Sequence, residues 1–138
     1  YYSYLTKLVS QLALEDVVTF TGRVTETQLA TEYLSAQVFC CLSDHEGFGV
    51  PILEAMKLGL PVIAYNAAAV PETLGNAGLL INNKSPIIVA TAIERVITDQ
   101  NLSKSMTAAG EQRAAKFTES YTAHKFFSAI NSMGDYEN

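Results

Sequence analysis

The apolar positions of this chain alternate between two rhythms. Leu5, Leu8, Val9 and Leu12 fall at spacings of three and four, one face of a helix. Val17-Val18-Thr19-Phe20-Thr21 is a β-rich run closed by Gly22, which predicts a strand and its stop. Thr25 and Gln28 have the spacing of a capping box, and Leu29, Tyr33 and Leu34 share one stripe of the helix that follows. Residues 37–42 read as a buried strand. Pro51 stands where a first helical residue belongs, and Gly59 where that helix stops. Residues 61–65 and 78–81 are further short apolar strands. Beyond Ser85-Pro86 the pattern is helical only, over 87–97, 102–115 and roughly 119–130. Nearly continuous apolar strands separated by helices predict an α/β fold, a parallel sheet covered on both faces. No internal repeat, low-complexity tract or linker interrupts the pattern.

Composition removes several classes of function. A chain of 138 residues suits one domain, or one lobe of something larger. Apolar residues make up 49% and charged residues 17%, which excludes a disordered chain. Nine Lys and Arg stand against fourteen Asp and Glu, a net charge of -5 with pI near 4.9. A duplex nucleic acid needs a basic face, and no basic cluster exists, so no nucleic-acid partner is expected. The longest purely apolar run, residues 38–42, is far too short to be a transmembrane segment. Tyr1-Tyr2-Ser3-Tyr4 is neither a Met start nor a signal peptide, and it opens inside a helical pattern. A piece of a longer protein is therefore expected. Cys40 and Cys41 are adjacent on a predicted strand, so their side chains point to opposite faces. They read as small buried hydrophobes rather than a disulfide or a metal site, and unpaired thiols fit a reducing, cytoplasmic compartment.

Ligands of open parallel sheets sit outside the carboxyl ends of the strands. The richest loop in such a place runs Ser43-Asp44-His45-Glu46-Gly47-Phe48-Gly49-Val50-Pro51-Ile52-Leu53-Glu54, between a predicted strand and a predicted helix. Gly47 and Gly49 let the backbone approach a ligand, and the helix opening near Pro51 offers N–H groups and a positive dipole end. Together these form a candidate anion site, most simply for a phosphate. The segment fails the dinucleotide pattern G-x-G-x-x-G, because its third glycine is absent. Glu46 precedes the glycines, and Glu54 is placed in the first turn of the helix. Ionised carboxylates accept hydrogen bonds only, so their natural partners are hydroxyls. Acceptors around an anion site point to a ligand with phosphate and polyol parts, a nucleotide carrying a sugar. Each residue alone also fits a plainer role: a solvated turn acid for Glu46, a surface acid near a helix start for Glu54, a tight turn for the glycines. A glycosidase pair fits less well, because the dipole end favours the charged form of Glu54 whereas a general acid must hold its proton.

At these residues the sequence resembles a known family. Glu46 and Glu54, followed by Ala55-Met56-Lys57-Leu58-Gly59-Leu60-Pro61-Val62-Ile63-Ala64, are similar to the E-x7-E segment of family-4 retaining glycosyltransferases of the GT-B fold. Val18-Thr19-Phe20-Thr21-Gly22-Arg23-Val24 is similar to the strand and loop those enzymes carry upstream. Val70-Pro71-Glu72-Thr73-Leu74-Gly75-Asn76-Ala77-Gly78-Leu79-Leu80 resembles the segment downstream, and order and spacing hold from about residue 5 to 117. The resemblance implies a Rossmann-like parallel sheet with flanking helices, the C-terminal, donor-binding half of a GT-B glycosyltransferase, N-terminally truncated. Residues 1–138 would then be a single partial domain, with a C-terminal helix over about 119–131.

The resemblance also implies roles. Glu46 takes the catalytic place, against the hydroxyls of the transferred sugar. Glu54 holds the ribose hydroxyls. The backbone of Gly47, Phe48, Gly49 and Val50 lies against the sugar and the diphosphate. The loop with Gly22 and Arg23 borders the base, where Arg23 either stacks or stands in solvent. Glu72 reads as structural. The family's basic pair for the diphosphate and its N-terminal acceptor-binding domain precede Tyr1, so both are missing partners of the same polypeptide. Asn66-Ala67-Ala68-Ala69 replaces small polar residues or glycines with alanines, which leaves the sugar unassigned.

The implied activity is transfer of a hexosyl group from a nucleotide-sugar donor to an acceptor with retention at the anomeric carbon, in glycan or polysaccharide synthesis. No residue reads as a covalent nucleophile. Backbone N–H groups and upstream cations would stabilise the departing diphosphate. No D-x-D signal or Cys/His ligand set is present, so no metal and no cofactor are expected. His45 reads as a bystander in a turn, and His124 as a surface residue. The last helix, with Tyr121, Phe126 and Phe127, is expected to pack on the core. The isolated chain is expected to be inactive. The alternatives are a non-catalytic nucleotide-sugar-binding module and another sugar-nucleotide enzyme of the same plan, such as an epimerase.

Overall fold

A computed structural model describes residues 1–117. The predicted helix over 119–130, with His124, Tyr121, Phe126 and Phe127, lies outside the described residues. The chain forms two compact units, Tyr1–Ala30 and Thr31–Asn138.

The first unit opens with α1 (Tyr2–Gln11). The 3-and-4 spacing correctly marks this helix, yet none of its residues is buried. It ends in a Schellman turn: Leu14 N–H donates to the Val9 carbonyl at 3.0 Å and Ala13 N–H to the Ser10 carbonyl at 3.1 Å. Ala13 occupies the left-handed position usual for glycine, at φ 53°. The predicted strand over 17–21 does not form. Its backbone meets no ladder partner, and Val17 is 74% exposed. A β-rich run becomes a strand only where a neighbour accepts its hydrogen bonds. Phe20 instead sets its edge against Tyr2, with ring centroids 5.4 Å apart. The capping box is present in full. Thr25 N–H donates to Gln28 Oε1 at 2.9 Å, and Gln28 N–H to Thr25 Oγ1 at 3.3 Å. It starts α2 (Glu26–Ser35), which ends in the second unit. Of its predicted stripe only Tyr33 is buried; Leu34 is 71% exposed.

The second unit is built on a three-stranded parallel sheet, β1 (Phe39–Cys41), β2 (Val62–Tyr65) and β3 (Leu79–Ile81), in the order β1-β2-β3. Cys40 lies opposite Ile63, and Ala64 opposite Leu80. The central strand β2 is the buried one. The predicted strand over 37–42 shortens to three half-buried residues, because an edge strand is paired on one side only. Between the strands run α3 (Val50–Lys57) and α4 (Val70–Leu74), and after them α5 (Pro86–Thr98) and α6 (Gln100–Ala114). The five-residue α4 has no sequence rhythm to announce it, since it is too short to show a period. Asp99 caps α6, its Oδ1 accepting from the N–H groups of Asn101 and Leu102 at 3.1 and 3.0 Å.

The two faces of the sheet carry separate cores. Phe39, Cys41, Val62, Ala64 and Leu80 pack with Tyr33 of α2, Ile52 and Met56 of α3, and Val70 and Leu74 of α4. Cys40, Ile63, Tyr65, Leu79 and Ile81 pack with Ala92 and Val96 of α5 and Met106 of α6. The adjacent cysteines thus enter opposite cores, as strand geometry requires, and both are free thiols. Gly59 ends α3 as expected: at φ 77°, it lets Leu60 N–H reach the Ala55 carbonyl at 2.9 Å and its own N–H reach Met56 at 3.1 Å. No described helix is long and apolar enough to cross a membrane.

Candidate functional site

Parallel strands leave their loops at one end of the sheet, and that end is tied together in the second unit. Lys84, after β3, reaches across to the β1 exit loop. Its Nζ donates to the Asp44 carboxylate at 2.6 Å and to the Leu42 carbonyl at 3.4 Å, and stands 4.5 Å from the centroid of the Tyr65 ring. The Lys84 ammonium holds the Asp44 carboxyl below the usual carboxylate range. Asn66 after β2 donates its side-chain amide to Asn82 Oδ1 after β3 at 2.7 Å.

The loop from Ser43 to Gly49 starts from this edge. Its first candidate, Glu46, is half-buried. Cys41 Sγ approaches Glu46 Oε1 at 3.7 Å, a thiol donating to a carboxylate. Burial pushes the Cys41 thiol up, and the Glu46 carboxylate adds to the shift against an N–H of Ser43 that lowers it. The Gly49 backbone is left-handed at φ 74°, and a methyl group there would lie 3.4 Å from Thr73 Cγ2. Thr73 is buried and donates its hydroxyl to the Phe48 carbonyl at 2.7 Å. Arg113 of α6 secures Thr73 in turn: Nε donates to the Thr73 carbonyl at 3.1 Å, and Nη2 donates to the Glu72 carbonyl. Glu72 thus contributes its main chain to this brace, and its neighbour Thr73 carries the link to the loop.

The helix start differs in detail from the expectation. Pro51 carries no N–H, and the N–H groups of Ile52 and Leu53 both turn back to the Gly49 carbonyl at 3.0 and 3.1 Å. Those of Gly47, Phe48, Gly49 and Val50 meet no acceptor among the described residues. The donors without a protein acceptor therefore belong to the glycine loop more than to the first turn of the helix. Glu54 is the fifth residue of α3, not a first-turn residue. The dipole support expected for its charge has faded at that depth. Its carboxylate is held another way, by the Tyr33 hydroxyl, which donates to Oε2 at 3.3 Å.

Tyr33 itself is buried. Its phenol is pushed up to about 12, first by burial and then by the charge of Glu54, with Cys41 adding a smaller push. Tyr33 thus feels Glu54 and Cys41, and Cys41 feels Glu46. Gly22 and Arg23 lie in the first unit, in an exposed turn where Gly22 has φ 61°. His45 is exposed, its N–H directed to Ser43 Oγ at 3.4 Å. Two shallow surface pockets of about 230 and 270 Å³ flank α6, lined by residues such as Asn76 and Arg113 or Lys57 and Glu111. Neither is lined by a site residue expected from the sequence. Among the described residues, no three acidic, His or Cys side chains gather as metal ligands. Sequence reasoning missed Tyr33, Cys41, Thr73 and Arg113 as parts of the site, having read the first two only as apolar positions.

The family model of the glycosyl transferases, group 1, matches residues 1–113 of this sequence. The chain belongs to the group 1 glycosyl transferases. Its Rossmann-like sheet is that of the GT-B enzymes. It is 33% identical to the O-antigen chain mannosyltransferase B of Escherichia coli, over 83% of the chain and 30% of that protein. It is 36% identical to a GDP-mannose-dependent alpha-(1-6)-phosphatidylinositol monomannoside mannosyltransferase of Mycobacterium tuberculosis, over 81% of the chain and 31% of that protein. The chain thus spans less than a third of the length of these group 1 relatives. A solved structure of Anabaena HepE in complex with UDP is similar with a TM-score of 0.78 and 25% identity, over 96% of this chain and 37% of that one.

Proposed function

We propose that this chain forms the donor-binding part of a retaining glycosyltransferase, which transfers a hexosyl group from a nucleoside diphosphate sugar to an acceptor hydroxyl. The observation that carries the reading is the glycine loop between two held acids. Glu46 is steadied by Cys41, Glu54 by Tyr33, and the N–H groups of residues 47–50 stand between them with no protein acceptor among the described residues. Those donors suit the diphosphate, and the acids suit hydroxyls on either side of it. The group 1 relatives support the reading, two of them named as mannosyltransferases and one HepE structure holding UDP.

In the transfer, the bond from the anomeric carbon to the diphosphate oxygen breaks, a bond to the acceptor oxygen forms on the same face, and the acceptor hydroxyl's proton passes to the departing diphosphate oxygen. Positive charge develops on the sugar ring, and Glu46 orients and balances it. Negative charge develops on the diphosphate, and the loop N–H groups meet it. The reading assigns no metal to this chain, a cytoplasmic setting for its free thiols, and no turnover to the 138 residues alone.

The test uses the intact protein with UDP-, GDP- and ADP-sugars and a panel of glycan acceptors. Expected are transfer with the donor's anomeric configuration kept, read by proton NMR of the product, and rates unchanged by a chelator. Inverted product would remove the retaining mechanism. Nucleotide binding without transfer to any acceptor would favour a binding module.

A further inference from the structure

We propose that Tyr33 is a positioning residue that presets Glu54 for the ribose of the donor, and so sets the preference of this site for ribonucleotides over deoxyribonucleotides. The inference rests on the reading of Glu54 as the ribose acceptor given above. Glu54 projects from an exposed helix position, where a long acidic side chain has many rotamers. Tyr33 is fixed by contrast. It is 9% exposed, and its ring is tilted against Phe39 of β1 with centroids 5.7 Å apart. Its hydroxyl reaches Glu54 Oε2 at 3.3 Å across 21 residues of sequence. That bond engages one carboxylate oxygen and turns the other, Oε1, into the acceptor left for a ligand hydroxyl. It is long for O–H···O, as such bonds often are before a ligand tightens them. A hydroxyl that orders an acid in advance lowers the ordering cost at binding.

The experiment measures dissociation constants of the intact protein for the best-bound of UDP, GDP and ADP, and for its 2′-deoxy form. The wild type is expected to favour the ribose form by about 10-fold or more, the size of one hydrogen bond to a charged acceptor. Glu54→Gln should bring the ratio close to one. Tyr33→Phe keeps the ring and should cut the ratio by about 3-fold or more, with no further loss when combined with Glu54→Gln. A Glu54→Gln variant that keeps the full ratio would sink the ribose reading itself, and this inference with it. If Glu54→Gln loses the ratio while Tyr33→Phe keeps it, or weakens both nucleotides alike, Tyr33 is structural only and the inference alone fails. A second readout leaves Tyr33 in place: the Cζ resonance of ¹³C-labelled Tyr33 should shift on saturation with the nucleoside diphosphate. An unmoved resonance would equally overturn the link.

Discussion

Glu46 and Glu54 share their chemistry and differ in what holds them, and the difference has measurable consequences. Glu46 sits at a loop position with a thiol as its neighbour, close to where the sugar is proposed to react. Glu46→Gln keeps the shape and removes the charge, so turnover of the intact protein should fall by about 100-fold or more with nucleotide affinity largely kept. Steady-state kinetics beside direct nucleotide binding would separate the two. Tyr33 gives a pH signature. Its phenol ionises near 10.0 in an unfolded chain and at about 12 in the folded one. Across that window the folded chain keeps a proton that the unfolded chain has lost. The stability from this group is therefore complete below pH 10 and lost as pH rises through about 12. Urea midpoints of wild type and Tyr33→Phe should converge over that rise, since the variant lacks the group.

At the scale of elements, the site loop is braced from behind. Arg113 on α6 holds the last carbonyls of α4, and Thr73 on α4 holds the Phe48 carbonyl. Thr73→Val keeps the volume and removes the hydroxyl. The expected cost is about 1 kcal/mol of stability, with weaker nucleotide binding, because the Phe48 carbonyl loses its bond to Thr73 of α4. Chemical unfolding and calorimetry would check both. A variant with unaltered binding would detach the brace from the site. Helix ends make a second comparison. Gly59 and Ala13 occupy the same left-handed place after α3 and α1, at φ 77° and 53°. Gly59→Ala should cost about 1 kcal/mol, and Ala13→Gly should return a similar amount. Equal changes of sign opposite to these in urea melts would contradict the turn geometry.

At the scale of the whole molecule, all three strands contribute to both cores, and β2 is the most deeply buried of them. Val62 and Ala64 face one core and Ile63 the other, all fully buried. Ile63→Ala should cost about 2–5 kcal/mol, a large part of what a domain of this size possesses. Since Ile63 lies away from the α3 side, nucleotide binding by the folded fraction should persist. A loss below about 1 kcal/mol in urea melts would mean that the α5 and α6 face is loosely packed.

What the sequence determined alone is what rests on neighbours along the chain. The capping box at Thr25 and Gln28, the stop at Gly59, the strand periods that send Cys40 and Cys41 into opposite cores, and the order of strands and helices are all local. The acids and glycines of the candidate site stood out too, because they fall within one short segment whose spacing resembles a family's. Tertiary structure alone decided the rest. Residues 17–21 have strand composition and no strand, since a ladder needs a partner that composition cannot name. Glu54 draws its order from Tyr33, 21 residues away, and the loop draws its brace from Thr73 and Arg113, the latter bonded 41 residues back to Glu72. Such contacts follow from which helix covers which face of the sheet, and side chains distant in sequence meet only once that packing exists.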